Sequence, residues 1–223
     1  MRITPTFLAA ATGIALVSSA SAVTVGFGPG LVGVQDTAAA DSGANQMRQN
    51  INITDTVTLG PGTYQATTWD YQAGPDSTVP GVTQPVYPFL TIVNGAANHT
   101  VLAFGATIDT DPGTQNGVPF GGANSIFTLT SSVTIAAGIQ NPSGPGIQNS
   151  ILTDTSFGVT DHANSLNFDD AAGVGNTLDN FGHANLARTY AFSIEVERIP
   201  EPSGAVLLLA GGAAIFLRRR RRS

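Results

Sequence analysis

The stretch "TYAFSIEVERI" at 189–199 alternates apolar and polar positions. Tyr190, Phe192, Ile194 and Val196 fall on one side, and Thr189, Ala191, Ser193, Glu195 and Glu197 on the other. A period of two predicts a half-buried strand. Ile51, Ile53, Val57 and Leu59 share a parity in "INITDTVTL". So do Leu102, Phe104, Ala106 and Ile108 in "VLAFGATI", and Val133, Ile135, Ala137 and Ile139 in "VTIAAGI". "PFLTIV" and "SIFTLT" are short runs rich in β-branched residues. Turn formers punctuate these segments: Gly60-Pro61-Gly62, Gly74-Pro75-Asp76, Asn94-Gly95, Asp111-Pro112-Gly113 and "NPSGPG" at 141–146. Short strands spaced this way predict an all-β fold, an antiparallel β-sandwich of the jelly-roll sort. Residues 38–50, "AAADSGANQMRQN", are expected to hold a short helix.

"VTLGPGTYQ" resembles a turn common in parallel β-helices. That architecture needs a repeat of roughly 20–25 residues, and the chain has none. Gly62-Thr63-Tyr64 followed by Pro88-Phe89-Leu90 is more similar to β-sandwich modules of exported bacterial proteins.

The two ends break the pattern. "MRITPTFLAAATGIALVSSASA" begins with Arg2, continues through an apolar run from Phe7 to Val17, and closes on Ala20-Ser21-Ala22. A short positive region, an apolar stretch and small residues at a cleavage site make a secretory signal peptide over 1–22, cut by signal peptidase after Ala22, with Ala20 the second choice. At the other end, Gly204 to Leu217 carries no polar side chain and Arg218, Arg219, Arg220, Arg221 and Arg222 follow. A helix over that run spans ~21 Å, short of a hydrocarbon core of ~30 Å. Arginine snorkelling extends its reach. Pro202 and Ser203 suit a helix start. The arginine block predicts a single transmembrane helix with a cytoplasmic C-terminus and the body outside.

Terminal arginines do not suit a lipid-anchor signal, and a basic nucleic-acid arm needs no apolar run before it. An LPxTG-type motif is absent; Pro200-Glu201-Pro202-Ser203 stands in its place. A Pro-Glu-Pro motif, an apolar segment and a terminal arginine cluster, in that order, resemble the PEP-CTERM sorting signal. Ile199 stands where Val is common in that family. The resemblance covers 200–223, together with the expected signal peptide; the sorting signal is bounded at 199–223, which leaves 23–198 as the exported body. It implies that Pro200, Glu201 and Pro202 are recognised by an exosortase, a membrane transpeptidase of Gram-negative bacteria that often make exopolysaccharide. It further implies passage through the inner membrane as a transient anchor, then delivery to the cell surface or matrix. Both prolines fix φ and lack an N–H, so the motif is expected to be extended.

Charge sharpens this division. The formal net charge is −6, but five of the nine basic residues sit at 218–222. Residues 23–201 hold all fifteen acidic residues against Arg48, Arg188 and Arg198. An acidic body excludes phosphate-driven nucleic-acid binding. No cysteine is present, which excludes disulfides and thiolate chemistry. About 175 residues suffice for one packed core.

Catalytic motifs are missing. There is no G-x-S-x-G elbow, and His99, His162 and His183 have no metal-ligand spacing, so each is expected as a solvated loop residue. The chain is expected to be a structural or interaction protein without catalytic activity. A carbohydrate-binding module for exopolysaccharide is the alternative, and an extracellular hydrolase or lyase ranks third. Trp69 and Tyr71 share a strand parity beside Asp70, which suits either a sugar-stacking face or an aromatic core, the core being the commoner use. Calcium is the one ligand with a motivated loop: "DTDPGTQNG" offers Asp109, Asp111 and Asn116 as oxygen donors. Asp161, Asp169 and Asp170 form a second set, although Asp and Asn are also ordinary turn formers. Asn52-Ile53-Thr54 and Asn98-His99-Thr100 match the N-glycosylation acceptor.

Overall fold

The structure is a computed structural model that describes residues 21–28, 34–35, 48–53, 55–74, 85–95, 98–142, 151–154, 163–165, 173–179 and 189–200. Every regular element among them is a β-strand. The first eight are β1 (Ala22–Gly26), β2 (Val34–Gln35), β3 (Arg48–Ile51), β4 (Val57–Leu59), β5 (Gly62–Ala73), β6 (Pro85–Gly95), β7 (Asn98–Phe104) and β8 (Ile108–Asp109). They are followed by β9 (Gly113–Pro119), β10 (Ile126–Leu129), β11 (Val133–Asn141), β12 (Leu152–Asp154), β13 (Ala163–Ser165), β14 (Thr177–Asp179), β15 (Thr189–Tyr190) and β16 (Phe192–Arg198). Ser21–Ile199 make one compact unit.

The pairing is antiparallel throughout, in three sheets. A five-stranded sheet runs β1-β16-β5-β10, with β9 also on β5. An eight-stranded sheet runs β13-β3-β11-β6-β7-β14, with β4 on β11 and β8 on β6. A small sheet holds β15-β12-β2.

The alternation in the sequence explains where the main core lies. Val133, Ile135, Ala137 and Ile139 of β11 all face it from the eight-stranded sheet. Tyr64, Ala66, Trp69 and Tyr71 of β5 and Phe192, Ile194 and Val196 of β16 face it from the five-stranded sheet. Two sheets thus share one apolar layer, the arrangement of a sandwich-like all-β fold. Tyr190 joins the same layer, but the strand that contains it does not run straight. At Ala191 the chain leaves the small sheet and enters the five-stranded one.

The eight-stranded sheet is buried on its other face as well. Ile51, Phe89, Val101, Ala136 and Leu178 form a second apolar cluster there. Its closest contact pairs β6 with β11. Phe89 lies opposite Gly138, and a Cβ on Gly138 would meet the ring at 2.4 Å. Only glycine lets the ring lie flat on the neighbouring backbone.

Three expectations need correction here. Residues 48–50 belong to strand β3, not to a helix over 38–50, and 38–47 lie outside the described residues. Pairing of β3 with β11 on one side and β13 on the other overrides the weak local helix preference. "INITDTVTL" is not one strand. It breaks after Ile51, and Ile51 and Ile53 pack in the second cluster while Val57 and Leu59 pack in the main core. "VLAFGATI" fails similarly. The β6–β7 register slips between Leu90 and Thr91, so Leu102 packs on the main core and Phe104 on the second cluster. A bulge adds one residue and flips the parity beyond it.

Candidate functional site

The feature nearest to candidate chemistry is the point where the chain leaves the fold. The Gly60-Pro61-Gly62 turn separates β4 from β5. Gly62 has φ +150, and its missing Cβ leaves room for the Arg198 guanidinium, whose Nε would sit 2.9 Å from such a carbon. Arg198 Nη2 donates to the Pro61 carbonyl at 3.0 Å. The Tyr64 hydroxyl ties down the same turn by donating to the Gly60 carbonyl at 2.9 Å. Tyr64 also stacks on Phe127, with ring centroids 5.7 Å apart. One residue later the Ile199 N–H donates to the Thr63 carbonyl at 2.8 Å. Pro200 follows, exposed and without an N–H to donate. Among the described residues, this Ile199 bond directly precedes the first residue of the Pro-Glu-Pro motif.

The first strand of the fold lies beside the last. Ala22 opens β1 opposite Glu197, and Val25 lies opposite Ile194. Thr24 Oγ1 donates to the Glu195 carboxylate across the exposed face. Ala22 is itself exposed. Ala20, Glu201, Pro202, the apolar segment 204–217 and Arg218 to Arg222 lie outside the described residues. Among the described residues no helix is long and apolar enough to cross a membrane.

The calcium-loop residues are spread over separate elements. Asp109 ends β8 in the eight-stranded sheet, Asp111 sits in the turn after it, and Asn116 is on β9 in the five-stranded sheet. All three are exposed. The Asp111 N–H donates to the Tyr71 hydroxyl at 3.2 Å. The Gly117 N–H donates to Asp70 Oδ1 at 2.6 Å, where the β5–β9 register slips. Asp70 thus caps backbone in this loop. Among the described residues no three His, Asp or Glu side chains gather as a metal-holding group. Asp161, Asp169 and Asp170 lie outside them.

Other candidates resolve into core. Trp69 and Tyr71 are buried, with ring centroids 4.5 Å apart. They make no sugar-stacking face. Burial raises the Tyr71 pKa above the ordinary tyrosine value; the Asp111 N–H lowers it, and the Asp111 charge adds to the rise. Burial likewise raises the Asp55 carboxyl above its usual value. His99 is fully buried on β7, which overturns its expectation as a solvated loop residue. His162 and His183 lie outside the described residues. Of the two glycosylation matches, Asn98 is exposed and accepts from Asn94 Nδ2 at 3.0 Å. Asn52 is buried and bonded both ways to the Tyr190 backbone, at 3.0 and 3.2 Å.

Sequence reasoning missed a set of buried amides. Gln49 Nε2 donates to Gln140 Oε1 at 2.8 Å across the β3–β11 pair. Asn141 Nδ2 donates to the Pro85 carbonyl at 3.2 Å. Asn50 is fully buried, and neither atom of its amide has a hydrogen-bond partner among the described residues. Polar residues in this run carry no periodic signal, so only the pairing of β3 on both sides reveals their burial. No protein-family model and no curated protein sequence matches the chain.

Proposed function

We propose that this chain is an exported structural or interaction protein of the cell envelope or extracellular matrix, delivered by an exosortase that recognises Pro200-Glu201-Pro202. In this reading residues 1–22 are a signal peptide, 23–198 a jelly-roll-like sandwich, and 199–223 a sorting signal. That signal consists of the motif, a short membrane helix and an arginine stop. The body has no catalytic role.

The observation that carries the reading is the order of features after β16. Ile199 is hydrogen-bonded to β5, Pro200 is exposed, and the sequence that follows runs motif, apolar segment, arginines. A motif that follows the fold directly and contains two prolines stays extended for an enzyme to grip. The arginines orient the segment with its C-terminus inside.

Pulse-labelling of the full chain in a Gram-negative host that carries an exosortase tests it. The wild type is expected to shorten from precursor to a released or surface form. The triple substitution of Pro200, Glu201 and Pro202 by alanine is expected to stay at precursor size in the inner membrane. Processing of that variant at the wild-type rate would overturn the reading.

A further inference from the structure

We propose that Asn116 is a self-modification site. Its side-chain amide is lost to attack by the Gly117 backbone nitrogen, with Asp70 as the base, and the residue becomes aspartate or isoaspartate. The reaction needs no sorting enzyme, so the inference stands apart from the reading above.

The chain holds two Asn-Gly pairs, Asn94-Gly95 and Asn116-Gly117, and both asparagines are exposed. In such a pair the nitrogen after Asn can reach the side-chain carbonyl carbon, because glycine has no Cβ to obstruct the approach and bends freely. The fold treats the two pairs differently. Asn94 Nδ2 donates to Asn98 Oδ1 at 3.0 Å and to Thr100 Oγ1 at 2.9 Å, and Gly95 is paired with Asn98. Both reacting groups are tied down there. Asn116 and Gly117 instead stand together against the single residue Asp70, because Gln115 lies opposite Tyr71 and Val118 opposite Trp69. A bulge of this kind takes its extra residue out of the backbone ladder. Gly117 sits in the left-handed region at φ +65, and a Cβ there would meet nothing within 4 Å. The bulge has open space on that side.

Asp70 supplies the chemistry. Its Oδ1 accepts the Gly117 N–H at 2.6 Å, within the reach required of a general base. As Asp70 takes that proton, the Gly117 nitrogen bonds to Asn116 Cγ. The Cγ–Nδ2 bond then breaks, and Nδ2 leaves as ammonia with the proton that Asp70 held. The product is a cyclic imide. Water opens it at Cγ to give aspartate, or at the main-chain carbonyl carbon to give isoaspartate. No oxidant or reductant is needed. Either product sets a new carboxylate near Asp70, and isoaspartate adds a methylene to the backbone of β9. Among the described residues β9 pairs only with β5, so the modified edge is expected to loosen from its sheet.

The test follows the purified full chain near neutral pH by peptide mapping, with one sample folded and one unfolded in guanidinium chloride. The folded chain is expected to convert Asn116 faster than the unfolded chain does, and Asn94 more slowly. Exposure alone cannot produce that split, since both asparagines are exposed in the fold. Asp70→Asn keeps an oxygen to accept the Gly117 N–H but removes the base. It is expected to slow the folded-state conversion roughly tenfold or more, because a positioned base contributes ~10²–10⁴-fold. If Asp70→Asn does not fold, the comparison of folded with unfolded chain still decides. Conversion of Asn116 no faster in the folded chain than in the unfolded one overturns the proposal. An unchanged rate in a folded Asp70→Asn chain overturns it as well.

Discussion

The five-stranded sheet shows one face to the main core and the other to solvent, whereas the eight-stranded sheet is buried on both. On the first, Phe192, Ile194 and Val196 point inward, while the opposite side carries Thr24, Glu195 and Glu197. On the second, Ile135 and Ile139 face one apolar cluster, and Ala136, Phe89 and Val101 face another. A sheet with a wet face tolerates polar side chains there and demands strict alternation. A sheet with two dry faces removes that freedom, and each polar group it carries must find a partner or pay a desolvation cost.

Substitutions can break or sharpen this contrast. The largest effect is expected in the shared layer. Trp69→Ala deletes a fully buried ring that packs on Tyr71. A loss of about 3–5 kcal/mol should appear in denaturant unfolding of the body. Next comes the second cluster. Gly138→Ala sets a methyl group against the Phe89 ring and should cost about 1–3 kcal/mol. A neutral result would mean that the second face is loosely packed and that the contrast is weaker than drawn.

Thr91→Val should move stability the other way. Thr91 is fully buried on the eight-stranded sheet, and its hydroxyl has no partner among the described residues. Valine keeps the shape and removes the stranded group, so a gain of about 1 kcal/mol is expected in the same unfolding measurement.

A smaller effect depends on pH. Burial holds the Tyr71 proton in the folded state past the point where the unfolded chain releases it. The resulting stability is full below the ordinary tyrosine value of ~10 and is lost as pH rises through the folded value. Tyr71→Phe should flatten the fall in melting temperature above pH ~10. The smallest effect is expected on the wet face: Ile126→Thr alters an exposed edge residue and should stay within about 0.5 kcal/mol. A larger change there would reveal a covering contact on that face.

The same contrast explains what could be read from the sequence. Residues 133–139 and 190–196 kept the faces that their alternation predicted; in the second run the period survives the sheet change at Ala191, and the register shift beside Ile194 and Val196 is taken up by β5, which spends three residues from Ala66 to Trp69 against their two. The all-β class followed from such segments, and the turns at Gly60-Pro61-Gly62 and Asp111-Pro112-Gly113 fall between strands as expected, while Asn94-Gly95 ends β6 and Pro75, Asp76 and 143–146 lie outside the described residues. The period failed at Leu102, where a bulge inserts one residue, and after Ile51, where the chain steps from β3 to β4. Neither event leaves a mark in a hydropathy pattern. His99 looked like a loop residue because it sits directly between Asn98 and Thr100, close behind the Asn94-Gly95 turn signal. Its burial is set by β6 and β14 on either side. Trp69 and Tyr71 were open to two uses, and only the facing sheet decides for the core. At the chain exit, sequence alone supplied the Pro-Glu-Pro motif. The lack of any slack before it comes from the Ile199 and Arg198 bonds.

The antiparallel pairing of β1 with β16 has a mechanical side. Because Ala22 lies opposite Glu197, both ends of the body leave from the same edge of one strand pair. A load applied between them would peel the pair apart one rung at a time, since the ladder bonds lie along the direction of pull. Strands pulled from opposite ends would share the load across every bond at once. A body tethered at one end to a surface and at the other to a neighbour would thus yield early, at its first and last strands. The five-stranded sheet would open within itself, at that pair, before the two large sheets parted.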